Sequence, residues 1–566
     1  MRSTALALLP LAASLAAPRD LRSTALALLP LAASLAAPRD LRCARECADS
    51  LFSDFQLSDP IASASLSRDC WICLGDPTAG IFHGQIPASA TTDLLRFKLG
   101  VGYTEGWCSA GTPSGWEPDG EGGFTGCEVK HDFPGLNSTS HMSHAYVKAE
   151  MAKLPRLQYE GKAWRGNELG FIISNELFWP RVSPRTVALG STPSQHMVMR
   201  PIVERVFGKC DATCTSALQM SARDWAAAQD SISVQEDVTA WVHTELVARA
   251  FPNRTLPVPA ADFVALQSSI VTLSTLTQLL SDDVTQLVAG ETFSKLSATF
   301  DAYRPLVEEV YGDELRDADC APTTDCVDLA TSHLLDLLFF AGGLSVPSGL
   351  STGLWVLHGD TAPYGESFPA PGSLRARDDP GAFFYESIRF FAPVVGLPWW
   401  TTPPARAEDD AASQYNTAAG VAGVRTILNL ALANKDPNVW GEDGHLFRVR
   451  PHAEYASHFV GFADFALDDD VAGGKMNRAC PAKSLALAMG KAFFTAWEQE
   501  EWCTKDSPGY TEATPFVDPF TLVRGVVEGR RCSPRWPWEE SECCRGTCRP
   551  EIIIQGLPYV EWACRA

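Results

Sequence analysis

The sequence has little positive charge for its length. Among 566 residues, 46 Lys and Arg stand against 68 Asp and Glu, which gives a formal net charge of −22. Proteins that neutralise phosphates need clustered basic side chains, so this balance argues against a nucleic-acid partner. It equally disfavours electrostatic docking to an anionic membrane face. We therefore expect a small neutral or apolar molecule as the partner.

The N-terminus also lacks an apolar run long enough to span a bilayer. Residues 2–20 recur as residues 22–40, and each copy is one Arg, an apolar run and then Ala-Ala-Pro. This is the layout of a secretory signal peptide. We therefore predict no transmembrane span and interpret residues 1–41 as one leader that has been duplicated. A hairpin anchor built from both copies is the alternative.

Cysteine, in contrast, is abundant. Seventeen cysteines behind such a leader indicate an oxidising compartment, either the endoplasmic reticulum lumen or the cell exterior. Many are close neighbours and predict disulfides: Cys43/Cys47, Cys70/Cys73, Cys108/Cys127, Cys210/Cys214, Cys320/Cys326 and the group from Cys532 to Cys564. If Cys480 is set aside, the remaining sixteen are an even number that can pair completely. Sequons at Asn137 and Asn253 are compatible with glycosylation.

Delivery to a plastid is an alternative to secretion. The segment Ala13–Pro18 resembles the cleavage region of bipartite plastid presequences in some algae, although the usual Phe is absent.

Composition divides the rest of the chain into three parts. Residues 42–145 are rich in Cys, Gly, Ser and Pro and disfavour long regular elements. Residues 146–529 contain long apolar-periodic segments and predict a mainly α domain with a minor β portion. Residues 530–566 predict a small disulfide-stapled tail, so that Cys-rich extensions lie at both ends.

Four helices of the main domain bear on chemistry, at residues 195–207, 327–341, 379–391 and 481–497. Asp379 is a plausible N-cap followed by Pro380 at the first helical position. Gly342-Gly343 weakens the second of these helices, and Pro347 is expected to bend or end it.

Cys480 directly precedes the last of these helices. A thiolate at a helix N-terminus has a lowered pKa because backbone N–H groups and the positive end of the macrodipole stabilise it. Such a sulfur can act as a nucleophile, form a disulfide or bind a metal.

Three further signals precede Cys480 in a fixed order. His196 and Arg200 lie one helical turn apart and suit the binding of two carboxylates. Glu386 and Arg389 share one helical face and can form a buried ion pair. The segment 435–448 then leads towards Cys480.

In this order the residues from about 165 to 500 resemble cytochrome P450. The resemblance implies haem b as cofactor, Cys480 as the axial thiolate, and Glu386 with Arg389 as a structural pair. Either Arg448 or Arg450 would complete a charge triad, and residues 327–346 would cross the distal haem face. The resemblance also implies haem contacts from His196, Arg200, Gly342 and Arg478.

The loop before Cys480 departs from the common pattern. Gly473, Met476 and Ala482 occupy the positions that usually hold Phe, Gly and Gly, and only Arg478 agrees. The segment 465–477 looks like an expanded ligand loop, which resembles the branch of allene oxide synthases and hydroperoxide lyases.

The distal helix resembles the same branch. Leu344 occupies the position of the usual acid, and Ser345 that of the alcohol. Without the carboxylate, cleavage of bound O₂ loses its usual proton source, whereas a hydroperoxide brings its own O–O bond. Phe339 stands where this branch has Asn. We therefore predict a haem-thiolate enzyme that isomerises or cleaves a lipid hydroperoxide, with Phe339, Gly342, Leu344 and Ser345 lining the distal pocket.

Three alternatives stay open. The chain is an O₂-dependent monooxygenase with unusual proton delivery and a redox partner, or a secreted haem-binding or interaction protein without catalysis. Alternatively, Cys480-Pro481-Ala482 resembles the ligand element of secreted peroxidases of the chloroperoxidase kind, although those place it near the N-terminus.

Overall fold

The structure is a computed structural model. It describes, with short gaps, residues 116–152, 166–167, 193–276, 282–359, 374–402, 424–462, 479–504, 517–524, 547–552 and 560–565. The predicted leader (1–41) and most of the Cys-rich extensions therefore lie outside the described residues.

Helices dominate the described residues, which confirms the predicted mainly α class. In chain order they are α1 (His144–Ala152), α2 (Pro193–Phe207), α3 (Ala212–Ala227), α4 (Val234–Ala250), α5 (Ala260–Leu276), α6 (Asp282–Leu315), α7 (Cys326–Asp336), a π turn (Leu337–Ala341), α8 (Gly342–His358), α9 (Pro380–Phe390), α10 (Leu430–Ala433), α11 (Pro437–Trp440), α12 (His452–His458) and α13 (Lys483–Ala496).

The minor β portion is also confirmed. Its strands are β1 (Trp116–Pro118), β2 (Phe124–Gly126), β3 (Val129–Phe133), β4 (Leu136–His141), β5 (Gly166–Asn167), β6 (Ser231–Ser233), β7 (Gly396–Thr402), β8 (Val424–Asn429), β9 (Trp502–Thr504), β10 (Thr521–Arg524), β11 (Thr547–Ile552) and β12 (Val560–Arg565). They form a five-stranded sheet of order β3-β4-β8-β7-β5, a three-stranded sheet of order β6-β10-β9, and the two-stranded pairs β1-β2 and β11-β12.

The five-stranded sheet crosses the division that composition places at residue 146. Strand β4 pairs in parallel with β8, from Ser138 opposite Arg425 to His141 opposite Leu428. Residues 129–141, assigned by composition to the N-terminal region, therefore share a sheet with the main domain.

Local chemistry explains where the helices near the site begin. The Asp379 side chain accepts a hydrogen bond from the Ala382 N–H, and Pro380 opens α9, as the sequence predicts. Helix α2 begins two residues before its predicted start. Helix α13 begins at Lys483 instead of Pro481, with Ala482 as its N-cap and no side-chain cap bond.

The core is one large apolar cluster in which α13 is central. Helix α13 packs on α3 and α9, and α8 packs on α4 and α9. Gly490 allows the close approach of α13 to α9, because a Cβ there would lie 2.1 Å from the Phe384 ring.

Helix α7, the π turn and α8 run without a break from Cys326 to His358, and we call this segment the long helix. Within the described part of the chain it is the one helix long and apolar enough to cross a membrane, and 75% of its most apolar window is buried inside the protein. This burial fits the central helix of a folded domain.

Candidate functional site

Two contacts fix the backbone around Cys480. Its N–H donates a hydrogen bond of 2.9 Å to the Phe462 carbonyl, although sixteen loop positions beginning at residue 463 separate Phe462 from Ala479. The Arg200 guanidinium, on α2, donates a hydrogen bond of 2.7 Å to the carbonyl of Ala479. Cys480, which carries a thiol, is half-buried just before the N-terminus of α13. The lowered thiol pKa that the sequence predicts for this position stays a prediction.

An apolar cavity lies between Cys480 and the long helix. Counted out to its opening on the solvent, it holds about 980 Å³ of empty space. Cys480 lies in the wall built by the start of α13, and Gly342 and Ser345 lie in the wall built by the long helix. The remaining lining residues are apolar: Val203, Phe207, Leu246, Leu337, Val346, Phe384, Ile388, Ala392, Pro393, Val394, Phe459, Gly461, Phe462, Pro481, Ala482, Leu485, Ala486 and Met489.

The polar groups of this lining are few. Among the described lining residues, Ser345 carries the one hydroxyl, Cys480 the one thiol, and none carries a charged side chain. The cavity can therefore hold a large apolar group with a soft sulfur ligand on one side and one hydrogen-bonding hydroxyl on the other.

Gly342 keeps the distal wall open. A Cβ at this position would lie 2.7 Å from Cδ1 of Leu246, which lines the same cavity. Any larger residue would push Leu246 out of its place or narrow the space above Cys480. This geometry, together with the sulfur donor, fits a flat cofactor such as haem held between α13 and the long helix.

The structure corrects two of the predicted distal residues. Gly342 and Ser345 line the cavity as predicted, but Phe339 and Leu344 are not among its lining residues. Phe339 is buried and stacks on Phe263 of α5, with ring centroids 4.1 Å apart. The reason is the π turn, in which the Gly342 N–H bonds to the Leu337 carbonyl five residues back. This spacing turns Leu337 towards the cavity in place of Phe339.

The sequence predicts that Pro347 bends or ends the helix, and an end there is wrong, because the long helix continues to His358. Proline has no N–H to donate to the carbonyl four residues earlier, which here is that of Gly343. The side-chain amide of Gln267, on α5, donates to this carbonyl instead, and also to the Phe339 carbonyl at 2.9 Å. Nothing in the local sequence of the long helix reveals this partner.

The predicted ion pair is present. Arg389 donates hydrogen bonds of 2.7 and 2.6 Å to the Glu386 carboxylate, and both residues are completely buried. Arg450 completes the charge triad with Nη1 3.1 Å from Glu386 Oε1. The Arg448 side chain points instead to Asp443 at the surface, although its backbone N–H also bonds to Glu386. The structure thus decides between the two arginines that the sequence left open.

Tyr455 is a member of this network that the sequence analysis missed. Its hydroxyl donates a hydrogen bond of 3.0 Å to Glu386 and accepts one of 2.8 Å from the Arg450 N–H. Burial, reinforced by the Glu386 carboxylate, raises the pKa of Tyr455. The neutral hydroxyl therefore stays available as a donor.

Other predicted residues lie partly or wholly outside the described residues. This holds for the side chain of His196 on α2, for Arg478, and for the loop 465–477. Two of the predicted disulfides are present, Cys210–Cys214 and Cys320–Cys326.

The sequence matches none of the protein-family profiles and none of the curated proteins with which it was compared. The fold is similar to solved cytochrome P450 structures. P450BioI in complex with hexadec-9Z-enoic acid ligated acyl carrier protein is 13% identical, at a TM-score of 0.47 over 70% of this chain and 94% of the other. Epothilone D-bound P450epoK is also 13% identical, at a TM-score of 0.46 over 70% and 93%. A thermophilic cytochrome P450 from Sulfolobus tokodaii is 12% identical, at 0.42 over 67% and 99%.

The assignment to the branch of allene oxide synthases and hydroperoxide lyases stays a prediction. Fold alone does not fix function. The function of this chain is therefore argued from its own residues.

Proposed function

We propose that this chain is a haem-thiolate enzyme of the cytochrome P450 type, which binds haem b with Cys480 as the axial ligand. The observation that carries the proposal is the placement of the Cys480 thiol and the Ser345 hydroxyl in one apolar cavity. A helix N-terminus beside Cys480 supports the thiolate form that binds iron.

We further propose that the substrate is a lipid hydroperoxide, isomerised or cleaved without reductase and without O₂. The apolar lining suits a fatty-acid chain. No described lining residue is a carboxylic acid that could supply protons for splitting O₂. A bound haem would supply the iron for cleavage of the O–O bond, which thiolate ligation favours.

We propose the following roles for the chain's own residues. The Ser345 hydroxyl orients the hydroperoxide by a hydrogen bond, and Gly342 leaves the space above Cys480 open. Arg200 holds the backbone before Cys480 through the Ala479 carbonyl. Together with His196 and Arg478, Arg200 is proposed to contact the haem propionates.

Secretion is part of the same proposal, because a leader and paired cysteines suit the secretory route. Delivery to a plastid is the alternative and depends on the leader alone.

Haem content and turnover test the proposal in one preparation. The purified full-length protein should show a Soret band and consume a fatty-acid hydroperoxide, followed as loss of conjugated diene, without NADPH or reductase. Product that forms only with a reductase system and O₂ would overturn the hydroperoxide reaction in favour of a monooxygenase. A folded protein that takes up no haem would overturn every catalytic reading and favour a binding protein.

Cys480→Ser tests the ligand itself. We expect this variant to lose the reduced carbon-monoxide Soret band that is characteristic of thiolate ligation. Ser345→Ala is the matched control on the opposite wall and should keep that band. Persistence of the band in Cys480→Ser would show that another residue is the ligand.

A further inference from the structure

A disulfide with a cationic neighbour lies outside the candidate active site. Cys210 and Cys214 are bonded to each other across the first turn of α3, and both are half-buried. The Arg249 guanidinium, on α4, lies 2.7 Å from the Cys214 sulfur and 4.0 Å from the Cys210 sulfur. Cys214 therefore faces a fixed positive charge, whereas Cys210 is further from it.

This disulfide lies at the start of α3, beside α2 and α4, which both contribute residues to the cavity wall. Cys210 follows the end of α2, whose Phe207 lines the cavity. Arg249 lies one turn beyond Leu246, which lines the cavity from α4. A change at the disulfide thus acts on segments that directly follow two cavity-lining residues.

We propose that Cys210–Cys214 is a thiol–disulfide exchange site, reduced by dithiols with Cys214 as the leaving thiolate. A thiolate is stabilised by a neighbouring Arg and by a helix N-terminus, and Cys214 has both. A lower thiol pKa makes a better leaving group and also makes the disulfide easier to reduce. This inference does not depend on the proposed haem chemistry.

Acidic groups around the site oppose this effect in part. The Asp211 carboxylate accepts a hydrogen bond of 2.8 Å from the Cys214 N–H, and Glu245 lies on α4 within the electrostatic reach of Arg249. Burial lowers the pKa of Arg249, and the two carboxylates counter that shift. An arginine nevertheless stays protonated in proteins, and it is the group closest to the Cys214 sulfur.

The exchange balances as an ordinary two-electron step. A thiolate of the dithiol attacks the Cys210 sulfur, the Cys210–Cys214 bond breaks, and Cys214 leaves as a thiolate beside Arg249. The second thiolate of the dithiol then attacks the dithiol sulfur that is bonded to Cys210 in the mixed disulfide. Cys210 is released and takes up a proton from water. The dithiol is oxidised to a cyclic disulfide, and the protein gains two thiols.

The chain contains a matched control disulfide. Cys320–Cys326 also bonds across the start of a helix, α7, but Cys320 is only 2% exposed. The Cys326 sulfur lies 3.2 Å from the Ala318 carbonyl oxygen, and the carboxylates Asp325 and Asp328 occupy the same first turn. Arg304 forms ion pairs with both carboxylates and offsets part of their charge, but the group that contacts the Cys326 sulfur is the Ala318 carbonyl oxygen. We therefore expect this disulfide to resist reduction more than Cys210–Cys214.

Equilibrium reduction of the full-length protein tests the proposal. The protein is incubated without oxygen in graded ratios of reduced to oxidised dithiothreitol, quenched with acid, alkylated and analysed by peptide mass spectrometry. Equilibrium midpoints are compared because reduction rates would also reflect accessibility. We expect Cys210–Cys214 to be half-reduced at a ratio at least about tenfold lower than Cys320–Cys326, which corresponds to about 30 mV.

Two variants of Arg249 test whether its positive charge makes Cys210–Cys214 easier to reduce. Arg249→Gln should raise the ratio needed for half-reduction of Cys210–Cys214 about tenfold, and Arg249→Lys should keep most of the wild-type value. Equal midpoints for the two disulfides, or an unchanged midpoint in folded Arg249→Gln, would overturn the proposal.

A second measurement applies if Arg249→Gln does not fold. In Cys210→Ser the remaining Cys214 thiol should react with iodoacetamide at neutral pH at least about tenfold faster than Cys326 in Cys320→Ser. Equal rates would contradict the assignment of Cys214 as the stabilised thiolate.

Discussion

The guanidinium of Arg389 and the carboxylate of Glu386 meet in full burial, joined by two parallel hydrogen bonds of 2.7 and 2.6 Å. Arg389 also donates to the carbonyls of Asn434 and Gly444, at 2.7 and 2.8 Å. A surface ion pair contributes little to stability, but a buried charge that loses its partner is strongly destabilising. The buried Arg389 guanidinium therefore fixes helix α9 to the segment before Cys480. Because these groups are buried, water cannot replace their hydrogen bonds.

Arg389→Met should lower the free energy of unfolding by about 3–5 kcal/mol, because Glu386 would stay buried without its main counter-charge. Urea denaturation followed by circular dichroism measures this loss. The matched control is Arg448→Met, since the Arg448 side chain is 70% exposed and its pair with Asp443 should be worth at most about 1 kcal/mol. Equal losses of unfolding free energy in the two variants would show that burial does not determine how much these ion pairs contribute to stability.

Gln267→Leu tests the hydrogen bonds from the Gln267 side-chain amide that stabilise the long helix where Pro347 interrupts its backbone bonding. The change leaves the carbonyls of Phe339 and Gly343 without the amide that binds them. A buried polar group left unsatisfied costs about 1–3 kcal/mol, so a loss in this range or above is expected in the same urea experiment. Gln219→Leu on α3 is the control and should change stability by about 0.5 kcal/mol or less, because Gln219 is partly exposed. A loss no larger than that of the control would contradict the role of Gln267.

Local signals in the sequence predicted the start of α9 better than the register of the long helix. Asp379 and Pro380 are readable as a helix start because the capping bond spans only three residues. Glu386 and Arg389 are readable because a spacing of three places them on one face. The π turn is not readable in this way, since Gln267 stabilises it from 72 residues before Phe339. The resemblance, which aligns Phe339 with the Asn of the hydroperoxide-metabolising branch, therefore placed Phe339 in the cavity and missed Leu337.

The segment before Cys480 is a second place where residue spacing in the sequence did not predict a contact. Counting back a fixed number of residues from Cys480 reaches Gly473, whereas the carbonyl that contacts the Cys480 N–H belongs to Phe462. An expanded loop breaks the spacing on which the pattern depends. Backbone pairing across that loop is a property of the fold that sequence spacing does not encode.

Ser345→Ala tests the proposed role of the distal hydroxyl. Because Ser345 is the one hydroxyl among the described lining residues, its loss should lower kcat/KM for a fatty-acid hydroperoxide about tenfold, as expected for one lost hydrogen bond of about 1.4 kcal/mol. Leu344→Ala is the control, since Leu344 does not line the cavity, and it should change kcat/KM less than about twofold. If Leu344→Ala had the larger effect while both variants kept their haem spectra, the register of the long helix would need revision.

His243 is expected to make stability depend on pH. It is completely buried against Phe263, with ring centroids 3.9 Å apart, and burial lowers its pKa from 6.5 to about 4. Above pH 6.5 both the folded and the unfolded protein hold the neutral ring, so this stability is fully present. As the pH falls from 6.5 to 4, only the unfolded chain takes up the proton, and the free energy of unfolding falls by about 3 kcal/mol in total. Below pH 4 both states are protonated, and the loss from this group stops.

His243→Phe isolates that contribution, because Phe keeps an aromatic ring against Phe263 but cannot be protonated. Carboxylates also titrate in this range, so the measured quantity is the difference in unfolding free energy between variant and wild type, by urea denaturation at pH 7.5 and pH 4.5. The variant should gain about 2–3 kcal/mol relative to wild type on going to the lower pH. The control Gln219→Leu removes no titratable group and should show no such gain. A His243→Phe difference that stays constant with pH would mean that the buried imidazole is protonated in the folded protein as readily as in the unfolded chain.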